Sequence, residues 1–255
     1  MGKMMGKGDF RFTDAIVKDE LNIFKIVDTS GSMTGERINQ LNCAVSEALA
    51  AFKDAARKAE IKLKIRMIEF NNCAEWIMGK AEEGVDIEQA EALWTDLTAK
   101  AAGTNTAAAI RLACEAMHTE YLGTRTYHPI VILITDGESN NFHETLQAIE
   151  ELKLSLKSST DPSKEKIQRI AVGVVNANRQ ELEAFASKGN IEHADGTVEE
   201  DVPLVFNVDN VSELTGLLKN IALSSVVSSV ASGADQNSKL TIVEEEEEEE
   251  GEWEV

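Results

Sequence analysis

Cysteine, aromatic side chains and positive charge are all scarce in this chain of 255 residues, and each shortage argues against a class of protein. The three cysteines, Cys43, Cys73 and Cys114, lie far apart and form no CxxC pair. That removes support for a disulfide framework or a thiolate zinc site and leaves reduced core thiols as the expectation. Aromatics make up 5 % of the residues, so the core must be aliphatic, with alanine where elements pack closely. Lys and Arg number 25 against 45 Asp and Glu, a formal net charge of −20. Such a surface repels phosphate backbones, and nucleic acid is not an expected partner. No run approaches the roughly 18 consecutive apolar residues of a membrane span. The N-terminal MGKMMGKGDFRF is polar and glycine-rich, without the apolar stretch of a secretory signal. A soluble cytoplasmic protein with no membrane contact is therefore expected. The phosphate-cradling patterns GxxxxGK(S/T) and GxGxxG are also missing.

What is present is a hydrophobic fraction of 43 %, enough for a sizeable core. Its pattern alternates between two periods. LNIFKIVD (21–28), IKLKIRMIEF (61–70), IVILI (130–134), IQRIAVGVV (167–175) and PLVFNV (203–208) read as strands. Apolar positions stepping by three and four predict an amphipathic helix over 36–60, and helices are also expected over 104–121, 143–157, 179–188 and 211–230, with a shorter one around 87–97. AEWIMGK (74–80) reads as a short antiparallel neighbour of the second strand. Strands alternating with helices imply an α/β fold: a doubly wound, mostly parallel, Rossmann-like sheet with one short antiparallel edge strand and helices on both faces. The expected organisation is an arm over 1–19, one domain over 20–230, and an acidic tail over 231–255 that holds nine glutamates between 244 and 254.

Three polar clusters fall where strands end, and ligands of open α/β sheets bind at the carboxyl ends of strands. KIVDTSGSMTG (25–35) crowds Asp28, Thr29, Ser30, Ser32 and Thr34 between loosening glycines. Alone it is open to catalysis, phosphate binding, metal binding or simple capping of the helix from Glu36. GTNT (103–106) puts Thr104 and Thr106 at a helix start, and ITDGES (134–139) puts Asp136 after the most apolar strand. If the first strand and the 130–134 strand are neighbours, the three clusters meet. Two carboxylates with several hydroxyls make an all-oxygen donor set, suited to Mg2+ or Mn2+ and less strictly to Ca2+. A serine hydrolase would need a general base for Ser30, and His118, His128, His143 and His193 form no triad-like motif, although His128 and His143 flank the 130–134 segment. The DTSG stretch is also reminiscent of an aspartic-protease turn, which would need an all-β frame.

DTSGS, GTNT and ITDGES together resemble the von Willebrand factor A domain, over about residues 20–225. The resemblance implies a metal-ion-dependent adhesion site, in which Asp28, Ser30 and Ser32 match the DxSxS motif, Thr104 the threonine and Asp136 the second aspartate. It implies hydroxyls that bind the ion directly, aspartates that often act through water, and an open position filled by an acidic side chain of a protein partner. The chain is then expected to be a binding module without catalysis. Its DTSGSMxGE start, size and lack of a signal peptide are most similar to stand-alone bacterial proteins of the tellurium-resistance Y type. That implies a stress or defence setting with kinase-, phosphatase- or ATPase-type neighbours. The rival readings are an Mg2+-dependent hydrolase and a metal-free scaffold acting through the acidic tail. The tail reads either as a solvated, self-repelling segment or as a carboxylate source for the site, in cis or in a second copy.

Overall fold

Strand β1 (Glu20–Asp28) is apolar on both faces because both faces are covered: every residue from Leu21 to Asp28 is buried. The computed structural model describes residues 19–100, 102–122, 126–156, 166–175, 177–208, 211–232 and 239–243. β1 pairs in parallel with β2 (Lys62–Phe70) on one side and β5 (Ile130–Thr135) on the other. Beyond β2 lie β3 (Ala74–Met78) and the two-residue β4 (Val85–Asp86), both antiparallel to it. Beyond β5 come β6 (Gln168–Val174) and β9 (Val205–Val208), both parallel. The order β3-β2-β1-β5-β6-β9 runs outward in opposite directions from β1 and β5. Loops leaving those two neighbours must diverge, which opens a crevice at their carboxyl ends.

Side chains of a strand alternate between faces, and β1 feeds both cores. Ile23 and Val27 pack with α1 (Glu36–Lys58), α2 (Ile87–Leu93) and α7 (Val211–Ser232), while Phe24 and Ile26 pack with α3 (Thr106–Glu115), α5 (Phe142–Ser155) and α6 (Arg179–Phe185). This is the doubly wound arrangement expected from the sequence. The window Glu213–Ala231 of α7 is long and apolar enough to cross a membrane by length and composition alone, at mean hydropathy 1.3. Here Leu214, Leu218, Ile221, Ala222 and Val226 are buried against the sheet and α1, while Leu223, Val227 and Val230 are exposed.

The structure departs from the sequence reading in three places. The helix expected over 104–121 begins at Thr106, where the Asn105 side chain accepts the Ala108 N–H, and breaks after Glu115. Ala116 and Met117 turn into the core, and the chain then forms a short α4 (Thr119–Leu122). The helix expected over 179–188 stops at Phe185, because the Ser187 N–H is taken by Arg169 O at the sheet. From Lys188 the chain builds a second, mixed sheet instead: β7 (Lys188–Glu192) pairs antiparallel with β8 (Val198–Pro203) and parallel with β10 (Thr241–Val243). β10 lies inside the segment expected as a tail. It is held by fully buried Ile242, by Leu240, and by Asp201, which pairs with both Lys188 and Lys239 at 3.0 and 2.9 Å. Its N–H groups at Thr241 and Val243 donate to Ser228 and Ser224 in turn, so the chain runs back along α7. The glutamates from 244 onward, and residues 1–18 of the expected arm, lie outside the described residues.

Candidate metal centre

Asp28 closes β1 and is fully buried. Its Oδ1 accepts the Ser30 N–H at 2.8 Å and its Oδ2 accepts the Thr135 hydroxyl at 2.6 Å. Burial pushes this carboxyl above the usual carboxylate range; the bonds from Thr135 and Ser30 oppose the shift, and the neighbouring Asp136 charge adds to it. After Asp28 the chain makes a 3-10 turn at Gly31–Met33 and enters α1 through Gly35, whose φ of +86° a side chain would resist. Among the described residues no side chain caps the N-terminus of α1 or of that turn. Thr34 Oγ1 donates to Gly31 O at 2.7 Å, but the Ser30 and Ser32 hydroxyls are not spent on capping, which sets the capped-turn reading aside for them. Ser30 Oγ donates instead to Ser32 Oγ at 3.0 Å, and Ser32 Oγ donates to Asp136 Oδ1 at 2.6 Å.

Thr104 comes from a loop that three other segments pin. Asn72 Oδ1 accepts the Gly103 N–H at 2.8 Å, and Asn140 Oδ1 accepts the Thr104 N–H at 2.9 Å. Thr104 O accepts from Asn140 N, and Asn71 O accepts from Asn105 N at 2.6 Å. Gly31 N and Thr29 O also bond to Ala102 and Lys100, which ties this loop to the first cluster. The clamp leaves no room at Gly103: a Cβ there would lie 2.6 Å from Asn140 Oδ1 and 2.8 Å from Asn72 Oδ1. Gly103→Ala should therefore loosen the Thr104 loop and lower divalent-cation affinity about tenfold, in line with losses at supporting residues of metal sites, with the fold retained. Calorimetric titration with Mn2+ checks this, and an unchanged affinity would show that the clamp is dispensable.

The structure brings Asp28, Ser30, Ser32, Thr104 and Asp136 together. The point of convergence is Gly137, the first residue after Asp136. A Cβ placed there would meet Thr104 Oγ1 at 3.5 Å, Ser32 Oγ at 3.8 Å and Asp28 Oδ2 at 3.9 Å. Oxygens from two loops thus surround the bare side of a glycine on a third. Among the described residues no group of three or more His, Cys, Asp or Glu side chains clusters as a metal cage. The donors here are two carboxylates and three hydroxyls, a small, hard set that fits Mg2+ or Mn2+ with water completing the shell. Of the two histidines flanking the 130–134 segment, His143 pairs with Gln147 at 3.1 Å on α5, and His128 precedes β5 at the end away from the site. Thr106 is the first residue of α3, and Glu138 accepts from Asn178.

Four participants were not picked out from sequence. Thr135 holds Asp28, Asn72 and Asn140 hold the Thr104 loop, and Arg37 Nη1 donates to Asp136 Oδ2 at 2.7 Å and to Ser32 O at 3.2 Å. The asparagine pairs 71–72, just past β2, and 140–141, just before α5, were the visible signal for the clamps.

The sequence matches the von Willebrand factor type A domain family over residues 22–220. No curated protein sequence matches it significantly. Among solved structures, proximal thread matrix protein 1 from the mussel byssus is similar at TM-score 0.56 and 19 % identity, covering 82 % of this chain and 48 % of that one. Another structure of the same mussel protein, with a zinc-occupied MIDAS motif, is similar at TM-score 0.54 and 14 % identity, covering 82 % and 46 %. The pilus adhesin SpaC from Lactobacillus rhamnosus GG is similar at TM-score 0.58 and 15 % identity, covering 82 % and 31 %. The chain spans less than half the length of each of these proteins, and at such identities they share its fold.

Proposed function

The chain belongs to the von Willebrand factor type A domain family, and from that premise we propose that it is a divalent-cation-dependent protein-binding module whose site takes an acidic side chain of a partner protein. The observation that carries this reading is the convergence of Thr104, Ser32 and Asp28 oxygens on Gly137, with Ser30 and Asp136 hydrogen-bonded into the same cluster. Ser30, Ser32 and Thr104 would hold the cation through neutral hydroxyls, and Asp28 and Asp136 would supply charge, directly or through water. A bound Mg2+ or Mn2+ offers Lewis acidity at a position the protein leaves to solvent, and a carboxylate is its natural occupant. The residues themselves do the orienting. Thr135 and the Ser30 N–H fix both oxygens of Asp28, and the asparagine clamp fixes Thr104. The zinc-occupied MIDAS of the mussel protein supports the reading of such a site as metal-binding. A setting inside a bacterial stress or tellurite-resistance complex is part of the proposal and rests on the DTSGSMTGE stretch. The test is capture of partners from the native host with Mg2+ and again with EDTA. Capture confined to the Mg2+ arm is expected; equal capture in EDTA would falsify the cation-bridged mechanism and favour a metal-independent scaffold.

A further inference from the structure

Arg37 stands in the first turn of α1, yet its guanidinium does not follow the helix surface. It reaches across to Asp136, donating to Oδ2 at 2.7 Å, with a second bond from the same nitrogen to Ser32 O at 3.2 Å. The Asp136 side chain is fully buried while that of Arg37 is 36 % exposed. A carboxylate without contact to solvent needs a positive partner or a proton, and here the guanidinium is the partner. The other oxygen of Asp136 accepts from Ser32, and both oxygens of Asp28 are bonded to Thr135 and Ser30. Arg37 is the cation paired with this cluster among the described residues. The nearby Glu138 is bonded to Asn178.

The charges can be added. Asp28 and Asp136 give −2, and Arg37 brings the cluster to −1. A divalent cation would take it to +1, whereas the same site without Arg37 would become neutral. A net positive site favours an anionic group at the open position over water, and a neutral one does so much less. The same positive charge opposes entry of the cation. We propose that Arg37 is the resident counter-cation of this site: it neutralises Asp136 in the metal-free protein, weakens divalent binding, and makes the loaded site selective for a carboxylate. The inference rests on the metal-binding reading above, and it predicts opposite effects on two affinities, which a merely structural arginine would not produce.

The experiment uses the full chain, with Arg37→Met to remove the charge and Arg37→Lys to keep it. Mn2+ alone is titrated by calorimetry. Acetate is then added to the Mn2+-loaded protein, and displacement of metal-bound water is followed by water-proton relaxation. Arg37→Met should bind Mn2+ about tenfold more tightly and acetate at least about fivefold more weakly, while Arg37→Lys stays near the unmodified chain on both. Thermal melts add a readout independent of the probe: the metal-free midpoint of Arg37→Met should fall, and its rise on adding Mn2+ should exceed that of the unmodified chain. Equal or weaker Mn2+ binding by Arg37→Met, or equal acetate binding, would overturn the proposal for Arg37 and leave the metal site standing. Absence of Mn2+ binding by the unmodified chain would overturn the metal site and the proposal together.

Discussion

Lys25→Met should raise the thermal midpoint by about 5–10 °C at neutral pH, from a gain of about 2–4 kcal/mol. Lys25 sits in the middle of β1, on the face that packs against α1, and is 1 % exposed. Among the described residues its Nζ has no hydrogen-bond partner, and it lies over the Phe52 ring, 5.2 Å from Nζ to the centroid. Burial pushes its ammonium down from 10.5 to about 7. Between those two values the unfolded chain holds a proton that the folded protein does not, so stability rises with pH across that window. At and below pH 7 the cost is close to its full size, which for that shift is bounded at roughly 5 kcal/mol. The cation–π contact returns about 1 kcal/mol of this. Methionine has nearly the same length and needs no partner, so it keeps the packing and removes the cost. Melts of both proteins at pH 7 and near pH 10 check the sign: the gap between them should be wide at the lower pH and narrow at the higher one. A gap that is absent, or that does not change with pH, would mean that Lys25 finds solvent or a partner in solution.

The case of Lys25 shows where sequence reading stopped. β1 was legible because its apolar run and length match a covered parallel strand, and one lysine inside LNIFKIVD did not disturb that pattern. The strand alternation that sends Lys25 to the same face as Ile23 and Val27 was available, but its isolation depends on Phe52 arriving from α1. The site was legible for a similar reason. Asp28, Ser30, Ser32, Thr104 and Asp136 lie at strand or helix ends that the doubly wound order carries to one edge. Arg37 was not legible, because a residue one position into an amphipathic helix looks like a solvated charge until the opposing loop is in place. The second sheet was hidden more completely. β8 reads VEEDVP and is mostly exposed, so it has no apolar period, and β10 is three residues long. Their pairing depends on main-chain bonds and on Ile191, Leu240 and Ile242 meeting from distant parts of the chain.

Asp28→Asn should separate the site's chemistry from its stability. Asparagine keeps the shape: its Oδ1 can accept the Ser30 N–H, and its amide can donate to Thr135 Oγ1 in place of the bond that hydroxyl now gives. What is lost is one of two charges in a donor set otherwise made of neutral hydroxyls, and divalent affinity should fall by about a hundredfold or more. The metal-free protein should not suffer. The folded-state pKa of Asp28 is raised above its ordinary value of 3.8, mainly by burial, so the native protein holds the proton more tightly than the unfolded chain. Stability therefore falls as pH rises from that ordinary value through the folded one, and the cost persists at neutral pH. Asparagine removes the cost. Without metal, the variant should melt at or above the midpoint of the unmodified chain; with saturating Mg2+, only the unmodified chain should gain, and the order should reverse. The same linkage makes the unmodified chain lose Mg2+ affinity as pH drops through the raised value, because proton and metal compete for one carboxylate. A variant that melts well below the unmodified chain in EDTA would assign Asp28 to structure. A variant that still gains from Mg2+ would move the cation elsewhere. A crossing of the two melting orders would mean that the buried charge is held at a cost to stability, one that only a bound cation offsets.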